Sequence, residues 1–195
     1  MKLLIVEGQD RCGKDSLISE ICSLYSNAIK RHWSFPKGET NEEKTEYQKK
    51  SFLWEFNFFN EMRKVWQKDS IMIWNRSHIG EMVYGSIYRN SSPQDWVMQL
   101  EDQFNFDKDL DVYLVYLYAD PEFVVKEDDG KSYSAKLEDK RKEIDEFHNA
   151  INKSKILNIL KIKVNEDQDY IDQQEIVKDV KQFLNITSKD LSLLL

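Results

Sequence analysis

The sequence predicts an α/β protein, a five-stranded parallel sheet flanked by helices. Short apolar runs of strand length recur along the chain, and stretches with apolar residues at helical spacing separate them. Parallel strands require such crossover connections. Lys2–Val6 is the first run and ends in Glu7-Gly8. Lys14–Tyr25 then places Leu17, Ile18, Ile21 and Leu24 on one helical face. Ala28–Trp33 reads as the second strand, broken by Pro36-Lys37-Gly38. Asn41–Gln67 reads as a long helix whose aromatic residues concentrate in Phe52–Phe59, and Ser70–Trp74 as the third strand. His78–Tyr88 and Pro93–Phe104 read as helices, Leu110–Tyr118 as the fourth strand and Pro121–Lys126 as a short helix. Ala135–Asn152 is a charged amphipathic helix, Ile159–Val164 the fifth strand and Gln174–Leu184 the last helix. No repeat, low-complexity block or linker interrupts this order, so residues 1–195 are expected to form one domain.

Composition narrows the function. Lys and Arg number 28 against 35 Asp and Glu, a net charge of −7. That balance disfavours a nucleic-acid partner, which demands basic surface. With 41% hydrophobic and 12% aromatic residues, the chain is not a disordered acidic tail either. No apolar run approaches the roughly 18 residues of a membrane span, and Glu7 cuts off the only apolar run near the start. Cys12 and Cys22 have neither disulfide-framework nor metal-ligand spacing, and His32, His78 and His148 do not cluster. A soluble cytoplasmic protein without membrane partners is expected.

In open parallel sheets, ligands bind beyond the carboxyl ends of the strands. The segment after the first strand is Gly8-Gln9-Asp10-Arg11-Cys12-Gly13-Lys14-Asp15-Ser16. Two glycines five apart followed by Lys form the frame of a phosphate-binding P-loop. Its backbone N–H groups cradle phosphate oxygens, the helix N-terminus adds a favourable dipole, and the lysine reaches the outer phosphates. Gly8, Arg11, Cys12, Gly13, Lys14, Asp15 and Ser16 are therefore the expected ATP-binding residues. Asp15 stands where a Mg²⁺-ligating Ser or Thr is expected, with Ser16 one place later.

The string Val6–Lys14 resembles the loop of thymidylate kinases of the class that carries Asp-Arg inside the P-loop. Further segments resemble that family in the right order: Phe35-Pro36-Lys37, Phe59 and Arg63 on the long helix, Asn75-Arg76-Ser77 with Tyr84 downstream, and Glu127–Arg141 in the place of its flexible lid. The resemblance covers about residues 2–184 and implies the three-layer P-loop kinase fold, ATP and Mg²⁺ as cofactors, and a homodimer through the middle segment. It also implies roles. Asp10 would bind the deoxyribose 3′-hydroxyl, and Arg11 would clamp the transferring phosphoryl group. Phe59 would stack on the base, with Phe56 or Phe58 as alternatives in register. Arg63, one turn on, would bond a pyrimidine carbonyl. Phe35 and Lys37 would lie at the substrate loop, Arg76 would hold the acceptor monophosphate, and Tyr84 would fill the space of a ribose 2′-hydroxyl. Asn165, after the last strand, is placed for an adenine loop, and Lys131 and Arg141 for phosphate contacts in the lid. Most charges of the lid helix are read as a solvated face.

Three positions depart from the family: Asp15, Asn75 in place of an acid at the end of the third strand, and Gly38 in place of an arginine. The first two are expected to be linked, with Asp15 taking over part of the Mg²⁺ electrostatics. The expected activity is transfer of the γ-phosphoryl group of ATP to dTMP or a related pyrimidine deoxynucleotide, with Arg11, Lys14 and Arg76 catalytic. The alternatives are a deoxynucleoside kinase, for which Glu7 would be the base, and a non-catalytic nucleotide-binding regulator.

Overall fold

The computed structural model describes residues 1–33, 35–66 and 69–185. In chain order its elements are β1 (Lys2–Gly8), α1 (Lys14–Ser23), β2 (Ala28–His32), α2 (Asn41–Val65), β3 (Ile71–Asn75), α3 (His78–Arg89) and α4 (Gln94–Gln103). There follow β4 (Val112–Tyr118), α5 (Pro121–Lys126), α6 (Leu137–Lys153), β5 (Asn158–Lys163), β6 (Asn165–Glu166), β7 (Asp169–Tyr170) and α7 (Gln173–Phe183). Gln67, the expected end of the long helix, lies outside the described residues.

Five strands form one parallel sheet in the order β2-β3-β1-β4-β5, as the alternating pattern predicts. Alternate side chains of the central strands point to opposite faces, and each face is fully covered. On one side Leu3, Ile5, Met72, Trp74, Leu114 and Tyr116 pack against α2, α3, α4 and α6. On the other, Leu4, Val6, Ile73, Val115 and Leu117 pack against α1, α5 and α7. The result is the expected three-layer arrangement. A small antiparallel pair, β6 with β7, is not foreseen by the sequence pattern. Two-residue strands have no periodicity to read.

Three local features set the site. β1 is central, and the chain crosses to β3 on one side of it and β4 on the other, so a crevice opens at the strand ends where the order reverses. α2 is started by a reciprocal cap: Glu43 N donates to Thr40 Oγ1 (3.2 Å) and Thr40 N to Glu43 Oε2 (3.3 Å). Because it connects the end of β2 to the start of the parallel strand β3, α2 begins at the carboxyl edge of the sheet and runs back toward the amino edge. Only its first half lies at the crevice.

Candidate active site

The P-loop leaves β1 through a position only glycine fits. Gly8 has φ +144°, and a Cβ there would sit 2.0 Å from the Leu117 carbonyl oxygen. The loop then opens a cavity of about 670 Å³ lined by Asp10, Arg11, Cys12, Gly13, Lys14, Asp15 and Ser16, with Asn75 and Arg76 from the end of β3. A second cavity of about 280 Å³ adjoins it. Trp33, Phe35, Gln48, Phe52, Glu81, Tyr84, Arg89 and Tyr133 line this second space, and His32, Phe35 and Arg76 border both.

Each cation at the crevice has an internal acceptor. Lys14 Nζ donates to the Gly8 carbonyl (2.8 Å) and to that of Gln9. Burial, and then the Arg76 charge, hold its pKa below the ordinary lysine value. Arg11, in the left-handed region at φ +67°, pairs with Asp129 of the segment before α6. Arg76, at φ +70°, pairs with Asp10, and its N–H donates to the Val6 carbonyl (2.9 Å). Two non-glycine residues in that strained region flank one crevice, as ligand clamps often do. The Cys12 thiol is buried and pushed up to about 11, so it stays protonated at neutral pH.

Asp15 and Asn75, the two departures expected to be linked, are in contact: Asn75 Nδ2 donates to Asp15 Oδ1 (2.7 Å), with Lys30 Nζ 3.7 Å from the same oxygen. Asn75 Oδ1 is buried and has no hydrogen-bond partner among the described residues. Hard oxygens beside a phosphate cradle suit Mg²⁺, which binds few protein ligands and keeps its waters.

Several expected site residues lie elsewhere. Phe59 is 1% exposed in the core beneath the sheet, and Arg63 sits over its ring at 5.3 Å while pairing with Asp109 just before β4. Both are at the amino edge, away from either cavity. Phe56 packs against Trp74 and Phe106 in the same core, and Phe58 stacks on Trp54. The α2 residues that reach the second cavity are Gln48 and Phe52. Phe52 is seven residues before Phe59, on nearly the same stripe but about 10 Å along the helix. Asn165 is turned inward: its Oδ1 accepts from Asp120 N (2.9 Å) and its Nδ2 donates to Asp120 Oδ2 and the Asp167 carbonyl. Val164, Tyr170 and Ile171 reach the P-loop cavity in its stead. Lys37 lines neither cavity and is exposed, and Arg141 pairs with Glu122 on the surface, whereas Lys131 does border the P-loop cavity. Lys140 and Glu143 are 1% exposed rather than solvated. Glu143 accepts from Gln9 Nε2 (3.2 Å) and Tyr88 Oη (2.6 Å), tying α6 to the P-loop and α3.

Glu7 is fully buried and lines neither cavity. Its Oε1 accepts from Ser77 Oγ (2.6 Å) and Gly80 N (3.0 Å), which fixes the end of β1 to the start of α3. Its Oε2 is buried without a hydrogen-bond partner among the described residues, behind Gly80, which lines the second cavity.

A parallel sheet of this order, a P-loop after its central strand and a cation-lined crevice at its switch point define a P-loop kinase. The chain belongs to the polyphosphate kinase 2 (PPK2) family, whose model matches residues 1–143. Solved structures of similar fold include the YorR protein of Bacillus subtilis in complex with phosphorylated GDP, 20% identical, covering 94% of this chain and 96% of that one with a TM-score of 0.57. They also include a thymidylate kinase of Candida albicans, 15% identical, covering 97% and 93% with a TM-score of 0.62. No curated protein matches the sequence. The chain is thus a nucleotide phosphotransferase of the P-loop kinase type, and no described helix is long and apolar enough to cross a membrane.

Proposed function

We propose that this kinase moves the terminal phosphoryl group of ATP to a pyrimidine deoxynucleoside monophosphate, dTMP, giving the diphosphate. The observation that carries the reading is Arg76, which borders both cavities. A donor triphosphate on the P-loop and an acceptor monophosphate gripped by Arg76 would meet there in line. Lys14 and Arg11 would hold the transferring group as charge spreads over its oxygens. Asp10, released from Arg76, would accept from the sugar 3′-hydroxyl, and Tyr84, whose ring lies 6.0 Å from the Arg76 guanidinium, would crowd out a 2′-hydroxyl. Asp15 and Asn75 would hold Mg²⁺, which neutralises charge between the phosphates when bound. No general base is needed, because the attacking oxygen is already anionic. Asp129 and Lys131 border the donor cavity and Tyr133 the acceptor cavity, so the segment before α6 would close over both and exclude water. A homodimer would use α2, where Trp54 is 56% exposed and stacked on Phe58.

Family membership favours a second reading, with inorganic polyphosphate as the donor. Against it stand Leu117, Val164, Tyr170, Ile171 and Ile176, an uncharged shelf that suits an adenosine better than a linear polyanion. The test is a matrix of donors, ATP and polyphosphate, against dTMP, dGMP, dCMP and thymidine with Mg²⁺, with products separated by ion-exchange chromatography. The expected product is dTDP from ATP and dTMP. Turnover with polyphosphate alone, or with thymidine but not dTMP, would replace this reading.

A further inference from the structure

The second cavity holds a charged pair that phosphoryl transfer does not require. Glu81 and Arg89 face it from α3, with side chains 2% and 5% exposed, and Arg89 Nη2 pairs with Glu81 Oε2. The two lie eight residues apart and meet across Gly85. A Cβ at that glycine would come 3.2 Å from both Glu81 Oε1 and Arg89 Nη2, and 2.8 Å from Ser91 Oγ. The pairing is incomplete. Glu81 Oε1 and Arg89 Nε are buried without a hydrogen-bond partner among the described residues, while the guanidinium also reaches the Tyr133 hydroxyl. Buried ions are tolerated when their remaining polar atoms are satisfied, so free ones beside a cavity point to a ligand.

The walls around the pair suit a flat ring. Tyr133 lies parallel to Tyr88 with centroids 4.8 Å apart at 9°, and Phe35 meets its edge at 4.9 Å. Phe52 and Trp33 form the other side, with centroids 4.4 Å apart. α3 starts two residues after Arg76 and rises about 1.5 Å per residue, which carries Glu81 and then Arg89 away from the phosphate end.

We infer that Glu81 and Arg89 read the hydrogen-bonding edge of the acceptor base, Glu81 accepting from its ring N–H and Arg89 donating to the adjacent carbonyl, as thymine presents them. The inference rests on the placement of the acceptor nucleotide proposed above. A carboxylate only accepts and a guanidinium only donates, so the pair demands a donor and an acceptor side by side. It takes over the role expected of Arg63, which lies at the opposite edge of the sheet.

The test compares dTMP with its N3-methyl derivative, which lacks the donor and sets a methyl group against the carboxylate. The wild-type protein is expected to prefer dTMP by at least about 100-fold in kcat/KM. In the double variant Glu81→Met/Arg89→Met, which removes both charges so that neither is buried alone, activity with dTMP should fall at least tenfold. The preference should shrink to within about threefold. Equal use of both nucleotides by the wild type, or an undiminished preference in the double variant, overturns the inference while leaving the kinase reading intact. If no deoxynucleoside monophosphate is phosphorylated, both fall together. If the double variant does not fold, Glu81→Gln, which keeps the side chain's size, takes its place: it should narrow the preference at least about tenfold, and an unchanged preference overturns the inference.

Discussion

The P-loop and the wall of the second cavity, the acceptor wall under the proposed function, meet at Arg76 and are built in different ways. The loop is a continuous stretch from Gly8 to Ser16, and what it offers a ligand is mostly backbone, shaped by Gly8 and Gly13 and backed by the N-terminus of α1. The wall is made of side chains drawn from four distant segments: Trp33 and Phe35 after β2, Gln48 and Phe52 on α2, Glu81, Tyr84 and Arg89 on α3, and Tyr133 before α6. A backbone site survives side-chain change, which is why Asp15 can stand in the loop without disturbing its course. A side-chain site depends on the register of each helix that feeds it, and one turn of error removes a residue from it altogether.

The largest effect that sharpens this contrast belongs to Lys14, the loop's main side-chain contribution. Lys14→Met should lower kcat by about 100- to 1,000-fold, the range for losing one preorganised donor at the transferring group. Binding of dTMP, measured by calorimetry without ATP, should change less than about threefold, because the acceptor wall is a separate construction. A large loss of dTMP affinity in this variant would show that the two halves are one site and break the comparison.

The same contrast explains what was legible in the sequence. Strands and helices each carry their own period, so the sheet, its flanking layers and the loop could be read directly. The acceptor wall could not. On α2, Phe52, Phe56 and Phe59 all lie on the buried side, and nothing in the pattern says where along the helix the crevice stops. The direction of the helix settles it: α2 starts at the carboxyl edge, so its early residues face the site and its late ones face the core. Arg89 falls one residue beyond the expected helix His78–Tyr88, and only the fold buries it against Glu81. Lys140 and Glu143 likewise sit in a charged run, and their contact with Gln9 exists only once α6 packs on the loop. Phe59, which the family resemblance assigns to the base, lies two turns beyond Phe52, the last α2 residue at the second cavity.

Glu7 joins the two halves, and its titration gives an intermediate effect. Burial raises its pKa above the ordinary carboxylate value of 4.5, against the lowering influence of Ser77, Gly80 and the nearby cations. Between 4.5 and the raised value the folded state binds more protons than the unfolded one. Stability therefore falls as pH rises through that window. Glu7→Gln keeps an acceptor for Gly80 and removes the titration. Its melting temperature should exceed that of the wild type at pH 8, with the difference shrinking as the pH approaches 4.5. A constant offset across pH would mean that Glu7 is held as a carboxylate throughout and that the joint between β1 and α3 is ionic.

The smallest expected effect is at Arg63. Its guanidinium lies on the Phe59 ring and pairs with Asp109, and the side chain is 36% exposed. A partly exposed pair of this kind contributes about 0.2–1 kcal/mol. Arg63→Ala should cost no more than that in a denaturant titration and leave kcat/KM for every acceptor within about twofold. The near-null result is informative because the thymidylate kinase resemblance assigns this position to the base. A tenfold or greater loss specific to pyrimidine acceptors would mean that the late turns of α2 reach the substrate. The acceptor site would then extend beyond Gln48 and Phe52, and the division between crevice-facing and core-facing halves of the helix would be wrong.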